Sequence, residues 1–145
     1  MTAPRTVSHE FPGTIEAASA AESWLLTQSN ALGLAPDSEF ALNLCLEELF
    51  LNAVRHGRAS RTRISISATP DAVQLEFVDD GAPFDPTVSP GRIRAPDEDV
   101  PIGGHGTGLL RKFSRRMTYG RNDGHNRLVV EFDAISGPPG LSPTT

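Results

Sequence analysis

Apolar positions recur at helical spacing through the first third of the chain and alternate with polar ones through much of the rest. Thr6 to Phe11 has strand character and ends at Pro12-Gly13. Thr14 is placed to cap a helix whose inner face reads Ile15, Ala18, Ala21, Leu25 and Leu32 and which closes at Gly33. Pro36-Asp37-Ser38-Glu39 opens a second helix, with acidic residues in the first turn where the helix dipole favours them. This helix is expected to run to Gly57. Leu42, Leu46, Leu49, Phe50 and Ala53 form its apolar side, a pattern that sets Glu48 and Asn52 on the opposite side, off the packing seam.

The period then falls to two. Ile64, Ile66 and Ala68 alternate with Arg63, Ser65 and Ser67, and after a turn at Pro70-Asp71 the same pattern returns in Val73, Leu75 and Phe77. The second of these strands ends in Val78-Asp79-Asp80-Gly81. Residues 82–105 are rich in Pro and Gly without a periodic apolar face, as in lids and disordered loops. Gly103 to Gly108 opens a third helix through Leu109, Leu110, Phe113 and Met117. Two more strands, near 117–121 and 127–132, flank Asn122-Asp123-Gly124-His125. One domain over residues 6–133 and a disordered tail over 134–145 are expected, with no internal repeat.

Composition narrows the class. A chain of 145 residues is long enough for one sizeable core, and a net charge of −5 argues against general nucleic-acid binding. The longest apolar run, Leu42 to Val54, is interrupted by Asn43, Glu47, Glu48 and Asn52, so no membrane span is expected. Met1 to Glu10 has no secretory pattern. Cys45, the single cysteine, falls within the helical apolar pattern and reads as a buried thiol of a reducing compartment. The expectation is a soluble, cytoplasmic protein.

Three constellations have chemical content. Glu48 and Asn52, four apart on a helix, can aim a carboxylate and a carboxamide at one small volume. A carboxylate can take a proton from an attacking hydroxyl, and an amide oxygen is a hard ligand suited to Mg²⁺. Such a pair is more often a solvated stripe, so it gains meaning only from the motifs downstream of it. Asp79 and Gly81 are ordinary turn residues. Functionally, Asp79 could accept a hydrogen bond from an exocyclic amine while Gly81 lets the backbone approach a flat base. Four glycines in the six residues Gly103 to Gly108 precede a helix, so free N–H groups and the helix N-terminus can receive phosphates. No Gly-Lys-Ser/Thr comes after them, which excludes a Walker loop, and the cluster does not sit in a dinucleotide-binding βαβ unit. His9, His105 and His125 have no metal-ligand spacing.

Together these segments resemble the GHKL, or Bergerat-fold, ATPases: Glu48-x-x-x-Asn52 as the N box, Asp79-x-Gly81 as the first glycine box, Gly103-Gly104-x-Gly106 as the second. Within them the chain looks like the anti-sigma factor serine/threonine kinases of bacterial partner-switching systems. Asp79-Asp80-Gly81-Ala82-Pro83-Phe84-Asp85-Pro86, the helix opening with Arg111-Lys112, and the closing strand Asn126 to Phe132 carry that likeness. The resemblance and the element order imply an α/β two-layer sandwich, with a mixed, mostly antiparallel sheet covered on one face by three helices. It also implies ATP and Mg²⁺. Asn52 would hold the metal, Asp79 would read the adenine amine, and Gly81 and Pro83 belong to the same box. Gly103, Gly104, His105, Gly106, Thr107, Gly108 and Leu109 would wrap the phosphates. Arg55 and His56 would shape the nucleotide site. Glu48 would be the general base toward a serine or threonine hydroxyl of a STAS-type antagonist, with a sigma factor or other regulator as a further partner. A homodimer is expected, with no nucleic acid or membrane partner, and Trp24 reads as a residue of the protein core or of the dimer interface.

Three positions depart from the pattern. Thr107-Gly108 replaces the usual Leu-aromatic pair, Val129 stands where a threonine often supports the adenine-reading Asp through water, and Arg115 occupies an often acidic position. The competing reading is a nucleotide-binding module that sequesters a regulator with little or no kinase activity. A sensor histidine kinase catalytic domain is disfavoured because no phospho-acceptor helix pair precedes the pattern. The gyrase-type ATPases would need a transducer domain for which the chain has no room.

Overall fold

The computed structural model describes residues 5–69, 71–85, 87 and 114–133. In chain order these form β1 (Arg5–Pro12), α1 (Ile15–Leu32), α2 (Pro36–Arg55), β2 (Arg61–Ala68), β3 (Ala72–Asp79), β4 (Arg116–Asn122) and β5 (His125–Asp133). The strands make one sheet in the order β1-β2-β3-β5-β4. Every pairing in it is antiparallel, so the expected mixed sheet is corrected to a wholly antiparallel one among the described residues. Its connections are a hairpin from β2 to β3, another from β4 to β5, and the α1–α2 excursion between β1 and β2, none of which needs a parallel crossover. Two helices stand where three were expected. Residues 103–113 of the third lie outside the described residues.

Local chemistry sets the helix ends. Thr14 has extended backbone and its Oγ1 accepts the Ala17 N–H at 3.2 Å, while Gly33 ends α1 in the left-handed region at φ 75°. Pro36 opens α2 with Asp37 and Glu39 in its first turn. The helix ends at Arg55, where the Asn52 carbonyl accepts N–H groups from both His56 (2.9 Å) and Gly57 (3.1 Å).

α1 buries Ala17, Ala21, Leu25 and Ser29. Ile15, assigned to that face from the sequence, is 45% exposed. At about 100° per residue it sits roughly 200° from Ala17, on the far side of the helix. α2 departs further from expectation. Glu48 and Asn52 are 3% and 9% exposed, and they share a buried stripe with Cys45, Leu49 and Ala53. The spacing 45, 48, 49, 52, 53 is itself a helical face, so the polar pair lies within the packing seam and not opposite it. Cys45 is fully buried; burial first, and the charge of Glu48 second, push its thiol well above the usual range.

The core lies between the helices and the inward rows of the sheet. Ile64, Ile66, Val73, Leu75 and Val130 are fully buried beneath Leu42, Leu46 and Phe50, and Phe50 meets Phe77 edge to face at 6.0 Å. At the margin Trp24 packs edge-on against Phe11 at 6.0 Å, and His9 stacks on Phe11 at 4.7 Å. The other face of the sheet is polar. Hydroxyls pair across β1 and β2, with Thr6 to Ser67 at 3.0 Å and Ser8 to Ser65 at 2.7 Å, and Glu76 lies between Arg63 and Arg127. Among the described residues no helix is long and apolar enough to cross a membrane.

Candidate functional site

The inward rows of β3 and β5 each end in a polar residue where the alternation predicts an apolar one. In β3 the row Val73, Leu75, Phe77 ends in Asp79; in β5 the row Phe132, Val130, Leu128 ends in Asn126, and these two ends are register partners. Both polar residues are buried, Asp79 at 7% and Asn126 at 5% exposure. The last turns of α2 cover them, so a pocket forms with Leu49, Asn52, Phe77, Phe84 and Leu128 on its walls and Asp79 and Asn126 on its floor.

Asp79 Oδ1 accepts two hydrogen bonds, from Gly81 N–H at 2.8 Å and from Asn126 Nδ2 at 3.1 Å. No described residue donates to its second oxygen, leaving an acceptor at the pocket for an incoming donor. Gly81 then turns the chain closely beneath α2. The Ala82 N–H donates to the Gly57 carbonyl at 2.9 Å, and a Cβ on Gly81 would lie 2.7 Å from that carbonyl oxygen, a distance at which the backbone must shift.

Asp80 points the other way and fastens this loop to the start of β2. Its Oδ1 accepts Ser60 N–H at 2.7 Å and Arg61 N–H at 3.0 Å, and its Oδ2 accepts the Ser60 hydroxyl at 2.5 Å. Desolvation pushes its carboxyl up, but the Ser60 hydroxyl and the Arg61 and Ser60 N–H groups together outweigh that and hold it below the ordinary carboxylate value. A depressed folded-state value stabilises the fold above the unfolded value, roughly pH 4, and the contribution is lost as pH falls through the lower folded value. Asp80→Asn should therefore unfold at lower urea concentration than the parent at pH 7. Titrations repeated toward pH 3 should show the gap closing.

Asn52 contributes a carboxamide whose nitrogen is buried without a hydrogen-bond partner among the described residues. A buried donor left open in this way fits an acceptor atom of an incoming ligand. Among the described residues no cluster of three or more His, Cys, Asp or Glu could form a protein cage for a metal. Mg²⁺ does not need one, since it commonly takes one or two protein oxygens and fills its shell with water and substrate phosphate. Asn52 Oδ1 is an oxygen of the kind such a shell would take from the protein, and the open Nδ2 would suit a phosphate oxygen beside it.

Of the residues singled out from sequence, Asn52 and Asp79 line the pocket and Gly81 is buried directly behind it. Glu48 lies one turn before Asn52, buried and off the pocket lining. His56 reaches the rim, its ring stacked on Phe84 at 5.9 Å and 16°. Arg55 and Pro83 are exposed and off the lining. Gly103, Gly104, His105, Gly106, Thr107, Gly108 and Leu109 lie outside the described residues. Val129 faces the polar side of the sheet opposite Glu76, away from Asp79, and the direct support of Asp79 comes from Asn126. Arg115 pairs with Asp133 at 2.8 Å. Asn126, Tyr119, Arg121 and Phe84 were not assigned roles from sequence. For Asn126 the signal was present, as a polar residue on the inward parity of an alternating strand.

Known proteins share both the sequence pattern and the fold. A family described as "Histidine kinase-like ATPase domain" matches residues 11–132. The chain is 37% identical over 97 residues to the serine/threonine-protein kinase BtrW of Bordetella bronchiseptica, which covers 63% of this chain and 68% of that one. Among solved structures, the RsbU and RsbW domains of Rv1364c from Mycobacterium tuberculosis superpose with a TM-score of 0.57 at 14% identity, covering 94% of this chain and 34% of that one. This chain thus spans about a third of that longer protein. The SiaB–SiaC complex from Pseudomonas aeruginosa gives a TM-score of 0.51 at 11% identity, over 88% of this chain and 89% of that one. At these identities the solved structures speak for the fold alone.

Proposed function

The chain belongs to the histidine kinase-like ATPase domain family, and from that premise we propose that it is an ATP-dependent protein serine/threonine kinase of a partner-switching circuit. Its substrate on this reading is a small STAS-type antagonist of an anti-sigma factor, and its second partner is a sigma factor or another regulator. ATP use goes with the family, and the relation to a serine/threonine-protein kinase supports the transfer chemistry. The observation that carries the reading is the convergence on one pocket of a fixed carboxylate, Asp79, and a carboxamide, Asn52, whose nitrogen has no partner among the described residues. One end suits a base with an exocyclic amine; the other suits the metal-bridged phosphates.

In the proposed reaction Asp79 accepts the adenine N6–H, while Leu49, Phe77 and Leu128 exclude water around the base. His56 and Phe84 wall the rim, and Gly103 to Leu109 would supply the N–H groups that receive the phosphates. Asn52 would hold Mg²⁺, whose charge would offset that of the triphosphate. Glu48 takes the proton from the partner's hydroxyl. The seryl or threonyl oxygen bonds the γ-phosphorus as the bond to the β–γ bridging oxygen breaks, and ADP leaves. Such transfer depends on positioning and charge neutralisation more than on covalent help, so one base and one metal suffice. Cytoplasmic residence and a homodimer belong to the same proposal.

The burial of Glu48, only 3% exposed, favours a second reading, in which the chain binds nucleotide and sequesters a regulator while transferring phosphate slowly or not at all. Mixing the purified chain with candidate STAS-type proteins and γ-labelled ATP separates the two. Label on a partner serine or threonine supports the kinase. Complex formation with normal ATP binding and no label on any partner supports the sequestering module.

A further inference from the structure

β4 is an edge strand, yet two of its side chains reach past β5 to the floor of the pocket. The Tyr119 hydroxyl donates to Asn126 Oδ1 at 2.5 Å, and Arg121 Nη1 donates to the same oxygen at 3.0 Å and to the Gly81 carbonyl at 2.8 Å. The other end of the Asn126 amide donates to Asp79 Oδ1 at 3.1 Å and to the Ala82 carbonyl at 2.8 Å. Every hydrogen-bonding element of this side chain is thereby assigned. Reversing the amide would set its oxygen against Asp79 Oδ1 and the Ala82 carbonyl, and its NH₂ against Arg121 Nη1.

From this geometry we infer that Tyr119 and Arg121 are specificity-positioning residues, which lock the Asn126 amide and through it hold the Asp79 carboxylate in one orientation, with its free acceptor oxygen turned to the pocket. The inference rests on the nucleotide reading and adds to it the device by which the site tells a 6-amino purine from a 6-oxo purine. With Oδ1 occupied by the Gly81 and Asn126 donors, the carboxylate keeps one orientation and its remaining oxygen faces the ligand. An amine at the purine 6-position can donate to that oxygen. A carbonyl there meets acceptor against acceptor, and a built polar site rejects such a mismatch strongly because buried groups are left unpaired. Without the lock the amide can turn, Asp79 loses a fixed donor, and the preference for an amine weakens. Both locking residues come from the far edge of the sheet, so the selectivity depends on a strand that carries none of the residues assigned to ATP from sequence.

The test uses the intact chain with ATP and with inosine triphosphate, which carries an oxo group where adenine carries the amine. The parent should bind ATP about tenfold tighter or more. In Tyr119→Phe, which keeps the ring on the pocket wall, that ratio should fall by about threefold or more, the worth of one neutral hydrogen bond, chiefly through lost ATP affinity. Adding Arg121→Gln should lower it further. Arg121→Gln alone, an exchange at an exposed position, provides the same readout if Tyr119→Phe folds poorly. Equal weakening of both nucleotides, or an unchanged ratio, would overturn the inference and leave the nucleotide reading intact. So would a parent that binds both nucleotides equally. A parent that binds neither removes the nucleotide reading and the inference with it.

Discussion

Glu48→Gln should bind ATP about as tightly as the parent, dock its partner, and transfer phosphate ~10²–10⁴-fold more slowly, the usual cost of losing a general base. Gln is nearly isosteric with Glu and neutral, so the buried seam of α2 around Cys45, Leu49 and Asn52 keeps its shape. Glu48 is off the pocket lining, so the nucleotide should not register the exchange. Single-turnover transfer from labelled ATP, measured beside an ATP titration of the same variant, separates rate from affinity. Transfer at the parent rate would place the base elsewhere, and Glu47 becomes the first alternative.

Asp79→Asn should weaken ATP binding roughly tenfold or more, on the order of 1–3 kcal/mol. The geometry leaves an asparagine no good orientation. Its oxygen can replace Oδ1 and keep the Gly81 and Asn126 donors, but its NH₂ then faces the adenine amine. Turned over, it accepts from the amine and sets NH₂ against those two donors. Either way buried polar groups are mismatched. Calorimetric titration with ATP measures the loss, and an unchanged affinity would remove Asp79 from the site.

The strands and both described helices were legible because each follows a single period with recognisable ends: Thr14 and Gly33 for α1, Pro36 for α2, and the alternation 73, 75, 77 for β3. Two helix faces differ from expectation for one reason. Assigning burial by residue type puts Ile15 inside and Glu48 and Asn52 outside. The seam instead follows the angular spacing of the helix, and it takes in Asn52 on the pocket lining and Glu48 one turn before it. The motif residues Asp79 and Asn52 could be named from spacing, but their partners could not. That Asn126 meets Asp79 is a fact of the β3–β5 register, and that Tyr119 and Arg121 reach Asn126 is a fact of β4 being its other neighbour. The Asp79–Asn126 contact spans 47 residues and leaves no local periodic trace, whereas Tyr119 and Arg121 lie only 7 and 5 residues from Asn126, across the β4–β5 hairpin.

Where the nucleotide sits can be read from an amide-resolved NMR titration of the chain with ATP and Mg²⁺. Nucleotide in the pocket floored by Asp79 and Asn126 should give saturable shifts in the side-chain amides of Asn52 and Asn126 and in the backbone amides of Gly57, Gly81 and Ala82. Ser65, Ser67 and Gln74 on the polar face of the sheet should stay still. Shifts confined to that polar face, or a spectrum that ATP leaves unchanged, would contradict that placement.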